Sequence, residues 1–304
     1  MEANSDHLVH QDIAARQRLD SESIRKFVVV AEELHFGRAA ERLGIAQPPL
    51  SRAIRQLERR LGVTLVERTS RSARLTPAGE ALLRDGRAAL DAVAAAARRA
   101  QRAGHPDPRL VLVLKPGGDG GLLPGILARY EADPAAIPVE IVFSAAERAA
   151  MLRDGRADVG LLLHPPDDLT ALDAEDLRAE PQVLVLAESH PLAVRASVWM
   201  ADLEGETLPR WPGMPGTGPL VRDQGQLMQL IALGRMVAVT SESVRDRLPS
   251  GLTSLPVSDA PVTTVCVAWA AASTSRPVAA FVRASVAVAG LNTPPTGAKL
   301  AETP

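Results

Sequence analysis

Apolar positions recur at helical spacing three times between residues 20 and 61. Ile24, Phe27, Val28, Ala31 and Leu34 form the inner stripe of a first helix, with Asp20 or Ser21 placed to cap it. Ala39, Ala40 and Leu43 give a second helix beginning near Gly37. Leu50, Ile54, Leu57 and Leu61 follow the 4-3-4 spacing of a third. At about 100° per residue, Arg52, Arg55 and Arg59 fall on the side opposite that stripe. The second and third patterns meet at Gly44-Ile45-Ala46, so they predict a helix-turn-helix whose second helix presents a basic face. A solvated charged face is the plain alternative. In the nucleic-acid reading, Gln47, Pro48, Ser51 and Arg52 at the start of the third helix meet base edges and phosphates in a major groove.

Two short strands follow, over 65–67 and 73–75, around the basic turn Arg68-Thr69-Ser70-Arg71-Ser72. Thr76-Pro77 then has the signature of a helix start: a capping hydroxyl with proline at the first helical position. Leu83, Gly86, Leu90, Val93, Ala97 and Ala100 repeat at 3-4-3-4-3 along that helix, the spacing of a coiled-coil seam, and predict a dimerisation helix over 77–104. Packing against the chain's own remainder is the alternative. Gly104-His105-Pro106-Asp107-Pro108 reads as a hinge.

Beyond the hinge the period switches to alternating strands and helices. Strands are predicted over 109–114, 139–143 and 159–163, with helices over 121–131 and 145–154, the latter ended by Gly155. A second group comprises a strand over 183–187, a helix over 223–233, a strand over 236–240 and a helix over 243–248. The chain returns through 264–269 and closes with a helix over 277–289. The alternation in the first group predicts a parallel sheet with covering helices, and the whole stretch reads as α/β. Residues 1–18 are polar and expected to be disordered, as is the tail over 291–304.

Composition changes the picture in one respect. The formal net charge is only -2, but residues 1–104 hold 18 Lys and Arg against 13 Asp and Glu, while the remainder holds 16 against 23. Within 38–74 there are nine Arg and three Glu. A basic N-terminal unit on an acidic partner is the distribution expected if only the first part touches phosphate.

The phrases FVVVAEELHFGRAAERLGIAQPPLSRAIRQLE, LGVTLVERT and LTPAG, in unbroken succession within residues 19–79, resemble the winged helix-turn-helix of LysR-type transcriptional regulators. A weaker resemblance continues to about residue 290. It implies a DNA-binding domain over 19–76 and an effector-binding domain over 109–290. The latter would have two lobes akin to periplasmic solute-binding proteins, the first about 109–181 with 268–290 and the second about 182–267. By resemblance Arg68 and Arg71 reach the flanking backbone or minor groove, and Arg38 and Arg55 join Gln47, Pro48, Ser51 and Arg52 at double-stranded operator DNA. Leu83, Leu90, Val93 and Ala97 are assigned to a homodimer able to pair into a tetramer, with RNA polymerase as a further partner. Gly37 stands where many relatives have a hydroxyl residue, and the stretch 208–222 is shorter than in many of them.

A small-molecule effector is expected between the lobes. Ligands in such sheets sit beyond the carboxyl ends of strands, near unpaired helix N–H groups. That selects the loop carrying Lys115, Gly117, Gly118 and Asp119, together with His164 and Thr240-Ser241 at later strand ends, as contacts for a small organic anion; each also suits a turn or cap. Enzymatic readings find little support. From Gly118 the dinucleotide pattern meets Gly120 and then Leu123 in place of its third glycine, so a nucleotide-dependent enzyme using the Gly117–Gly121 loop is the runner-up only. No nucleophile elbow, metal-spaced His/Cys cluster or cofactor motif is present, and no catalytic residue or metal ligand is assigned. The first residues lack a signal-peptide core and no long apolar run occurs, which points to the cytoplasm and away from membranes. The single cysteine, Cys266, lies in an apolar run and reads as a buried inert thiol.

Overall fold

The computed structural model describes residues 19–68, 73–211, 217–271 and 273–292. Arg71 and the terminal segments 1–18 and 293–304 lie outside the described residues. The chain divides into two compact units, 1–94 and 95–304.

In the first unit, helices α1 (Ser21–Glu33), α2 (Phe36–Arg42) and α3 (Gln47–Leu61) precede a two-stranded ladder, β1 (Val66–Arg68) against β2 (Ala73–Leu75), and the start of α4 (Pro77–Ala103). The Asp20 carboxylate caps α1, accepting from the Ser23 amide at 2.7 Å and the Ser23 hydroxyl at 2.9 Å, and these bonds hold its pKa below the usual carboxylate value. Helix α2 begins at Phe36, beside the expected Gly37, and its cap is an imidazole. His35 Nδ1 accepts from the amides of Gly37 and Arg38 at 3.1 and 3.2 Å. A Cβ on residue 37 would sit 2.9 Å from His35 Cε1, so glycine there leaves room for the ring. Phe27, Val30, Ala39, Leu50 and Ile54 are wholly buried at the centre of the three helices. Burial of such side chains stabilises by about 1.5–3 kcal/mol each for the larger ones. The Glu58 carboxylate of α3 accepts from the Leu65 and Val66 amides, and the Ala73 amide donates to the Leu34 carbonyl; together they tie both strands to the helices.

The second unit carries, in chain order, β3 (Leu110–Leu114), α5 (Leu123–Glu131), β4 (Val139–Phe143), α6 (Arg148–Arg153), β5 (Val159–His164), β6 (Leu172–Glu180), β7 (Gln182–Ala187), α7 (Gln224–Ala232), β8 (Ala238–Ser241), β9 (Leu252–Pro256), β10 (Thr263–Ala270) and α8 (Arg276–Asn292). A five-stranded sheet runs β4-β3-β5-β10-β6, parallel across β4, β3 and β5 and antiparallel where β10 joins β5 and β6. Helices α5 and α8 cover one face, where the Tyr130 and Phe281 rings meet edge-on at 5.5 Å. Helix α6 covers the other. The smaller sheet, β8-β7-β9, packs against α7.

The smaller sheet is wholly antiparallel. Three expectations are corrected. Strands β6 and β9 were not expected: β6 reads LDAEDLRAE and is an edge strand with mostly exposed side chains, so it carries no apolar run. The segment Glu242–Arg247 is a 3-10 helix. Finally, β10 lies entirely in the five-stranded sheet, so the return crossing falls before Thr263 and not at 268. The two crossings lie side by side: Thr263 Oγ1 donates to the Glu180 carbonyl at 3.3 Å and accepts from Gln182 Nε2 at 3.0 Å.

Candidate nucleic-acid interface and ligand cleft

Helix α3 starts without a side-chain cap, at Ala46, with proline in its first turn. Proline fixes helical φ there and sacrifices an N–H that would have no intrahelical partner. The first turn therefore presents Gln47 and Pro48 to solvent, with Ser51 half-buried and Arg52 and Arg55 exposed. Among the described residues Arg52, Arg55 and Arg59 form no ion pair. The arginines of α2 differ. Arg38 binds Glu33 at 3.2 Å and donates to the Glu33 carbonyl, and Arg42 binds Glu32 at 2.8 Å and Glu33 at 3.3 Å. These bonds lower the Glu33 pKa, chiefly through Arg38 and then Arg42. Among the described residues the outer face of α3 thus carries three arginines without a carboxylate partner, whereas Arg38 ties α2 to α1. Arg68 closes β1 and Arg71 lies outside the described residues.

The seam of α4 divides in two. Leu83 and Leu90 are half-buried against the core of α1–α3, and Gly86 lies against Ile24. Val93 is 58% exposed, and Ala97 and Ala100 are also exposed on the following turns. Periodicity alone could not distinguish these halves, since both suit a heptad.

In the second unit a cavity of about 340 Å³ opens between the two sheets. It brings together Lys115, Gly117 and Gly118 from the loop after β3 with Thr240 and Ser241 at the end of β8. Asp119 and His164 do not line it. Asp119 is buried behind the loop, and His164 is exposed at the end of β5. The sequence reading missed the opposite wall, formed by Gln224 and Met228 of α7 and by Ser243 and Arg247 of the 3-10 helix. No local signal marks them, because they face the cavity only once the second sheet has formed.

The electrostatics of this cleft are specific. Lys115 Nζ lies 5.1 Å from the centroid of the Trp211 ring. Burial, followed by the neighbouring Arg148, lowers its pKa, while Asp167 opposes the shift. Arg148 and Asp167 form a buried pair, with Arg148 Nη2 2.8 and 2.9 Å from the two carboxylate oxygens, and Asp167 also accepts from the Leu163 amide at 2.8 Å. Arg247 Nη1 stands 3.3 Å from Asp119 Oδ1, joining the lobes. The buried Ser243 hydroxyl has no hydrogen-bond partner among the described residues. A wider groove of about 560 Å³ beside the end of α4 is lined by Arg98, Arg102 and Arg156, but these are committed to Asp154, Asp158 and Glu147.

The chain thus joins a three-helix winged unit to an α/β unit whose two sheets flank a cavity. Residues 21–80 match the model of the bacterial regulatory helix-turn-helix protein, lysR family, and residues 103–226 match the LysR substrate binding domain. The HTH-type transcriptional regulator AlsR of Bacillus subtilis (strain 168) is 38% identical over 187 residues, 61% of this chain and 62% of AlsR. The HTH-type transcriptional regulator ShiR of Corynebacterium glutamicum (strain R) is 32% identical over 256 residues, 76% of this chain and 85% of ShiR. The match thus spans less than two thirds of AlsR, and more of ShiR. Among solved structures, a point variant of full-length BenM is 25% identical, covers 90% of this chain and 97% of its own, and aligns with a TM-score of 0.53. The chain belongs to the family of LysR-type transcriptional regulators.

Proposed function

We propose that the protein is a sequence-specific DNA-binding transcriptional regulator, acting as a homodimer or a dimer of dimers and switched by a small organic anion in the inter-lobe cleft. The observation that carries the DNA-binding part is the row of exposed arginines on α3, Arg52, Arg55 and Arg59, without carboxylate partners among the described residues. Unpaired guanidinium groups on one helix face are available to phosphates at no cost of broken ion pairs. Gln47, Pro48 and Ser51 occupy the helix start, where base edges are read, and Arg68 and Arg71 are assigned by family resemblance to the flanking backbone or minor groove.

The homodimer uses the second half of α4, where Val93, Ala97 and Ala100 form an exposed stripe of small apolar residues. Lys115, with Gly117, Gly118, Thr240 and Ser241, supplies the effector contacts. Effector binding favours one inter-lobe arrangement over another and so shifts the spacing or bend of DNA held by paired winged helices. Its role is regulatory and not catalytic, its place is the cytoplasm, and RNA polymerase is its partner at the promoter. No helix among the described residues is long and apolar enough to cross a membrane.

The test is a DNase footprint of the full chain on the DNA upstream of its own gene. Protection of two or more sites separated by whole helical turns supports a dimeric regulator. Equal binding to random DNA, without protection, contradicts it.

A further inference from the structure

We propose that the cleft selects a singly charged organic anion, and that the Asp119–Arg247 pair sets this selectivity by occupying the second cation. The proposal rests on the effector reading above and assigns its ligand a charge.

Among the described residues, two charged side chains line the cavity, Lys115 from the first lobe and Arg247 from the second, and no carboxylate does. Their states differ. Lys115 has no ion-pair partner among the described residues; its charged neighbours Arg148 and Asp167 are bonded to each other and cancel. Arg247 is neutralised by Asp119 at 3.3 Å. Asp119 is only 5% exposed, and its other oxygen accepts from the Leu123 amide at 3.4 Å, at the start of α5. Displacing that carboxylate from Arg247 would leave a buried unpaired charge, which is costly. The pair therefore persists when ligand enters, and the cleft offers one net positive charge.

The remaining lining fits such a ligand. Leu163, Met228 and Val244 offer apolar surface, and the unpartnered Ser243 hydroxyl is a hydrogen-bond partner buried in the same wall. About 340 Å³ lies at the small end of ligand pockets, suited to a compact metabolite with one acidic group. The second carboxylate of a dianion would find Arg247 already neutralised by Asp119, so its desolvation would go uncompensated.

The test is calorimetry on the full chain with straight-chain monocarboxylates from propionate to octanoate and benzoate, each set against the dicarboxylate of matched length, with phthalate for benzoate. The wild type is expected to bind the best monoacid about tenfold or more tighter than its matched diacid, the difference of one charge-assisted contact. Asp119→Asn frees Arg247, and diacid affinity is expected to rise about tenfold with monoacid affinity changed by less than about threefold; adding Arg247→Gln should abolish the gain. Should Asp119→Asn not fold, Arg247→Gln alone serves. Retained monoacid binding with diacids still weak supports the proposal, whereas loss of monoacid binding overturns it. A wild-type preference for diacids, or a ratio unchanged by Asp119→Asn, overturns the charge selectivity while the effector reading stands, provided that binding is lost in Lys115→Ala. Binding that survives both Lys115→Ala and a cavity-filling Gly118→Trp, or no binding of any probe, overturns the effector reading itself and the selectivity with it.

Discussion

Gly155 and Ala95 touch backbone to backbone. A Cβ on Gly155, which has φ +77°, would lie 2.8 Å from Ala95 Cα and 3.0 Å from its Cβ. The end of α4 is pinned around this contact: Arg98 donates to the Asp154 carbonyl, and Arg102 to the Gly155 carbonyl and the Asp158 carboxylate, all at 2.7 Å. Asp158 in turn accepts from the Val111 amide of β3 at 2.9 Å. Gly155→Ala combines left-handed strain with overpacking and is expected to destabilise the second unit by about 1–3 kcal/mol, read as a lower urea midpoint. An unchanged midpoint would show that this contact does not hold the helix.

The division of the α4 seam makes two aspartate substitutions behave differently. Val93→Asp, at an exposed position, is expected to give a folded monomer by sedimentation and circular dichroism. Leu90→Asp places a charge against the core of α1–α3 and is expected to lower the stability of that unit by several kcal/mol, through unpaired burial as well as lost packing. If Val93→Asp remains dimeric, the exposed stripe is not the interface.

Cys266 is wholly buried in β10, and its thiol donates to the Leu162 carbonyl at 3.7 Å. Burial pushes its pKa up to about 12, so almost no thiolate exists at neutral pH. A chromogenic disulfide reagent is expected to label it in urea and not in buffer. Rapid labelling of the folded protein would contradict this.

Lys115 gives a pH dependence with a defined sign. Its folded pKa lies below the ordinary lysine value, so between the two the folded chain binds fewer protons than the unfolded one. Its contribution to stability therefore rises as pH increases through the folded pKa. Anion affinity, which needs the ammonium, falls over the same window. Lys115→Met is accordingly expected to raise the melting temperature at neutral pH and to abolish anion binding, measured by thermal shift and calorimetry. A lower melting temperature would show that the ammonium stabilises the fold.

What the sequence discloses follows from how local each signal is. The apolar stripe Leu50-Ile54-Leu57 and the arginines opposite it lie on one helix, so fifteen residues suffice to show both faces. The loop after β3 and the Thr240-Ser241 strand end are legible because carboxyl ends of strands are where α/β ligands collect. Strand β6 is not legible, since an edge strand with mostly polar side chains carries no apolar run. Nor are Ser243 and Arg247, whose roles arise from the antiparallel β8-β7-β9 sheet placing a 3-10 helix against a loop more than a hundred residues earlier in the chain. The Leu83 and Leu90 positions mislead for a related reason: a heptad pattern shows that a face is buried and not by what.

The central claim is that α3 meets DNA through arginines that no carboxylate neutralises among the described residues. The most direct test is the salt dependence of affinity for the fragment protected upstream of its own gene, measured by fluorescence anisotropy for the wild type, Arg52→Ala and Arg38→Ala. Arg52→Ala is expected to weaken binding and to reduce the slope of log affinity against log salt by about 0.9, one phosphate contact's worth, while Arg38→Ala, already paired with Glu33, leaves the slope unchanged. A slope unaltered by Arg52→Ala would contradict the claim and leave the basic face of α3 a solvated surface.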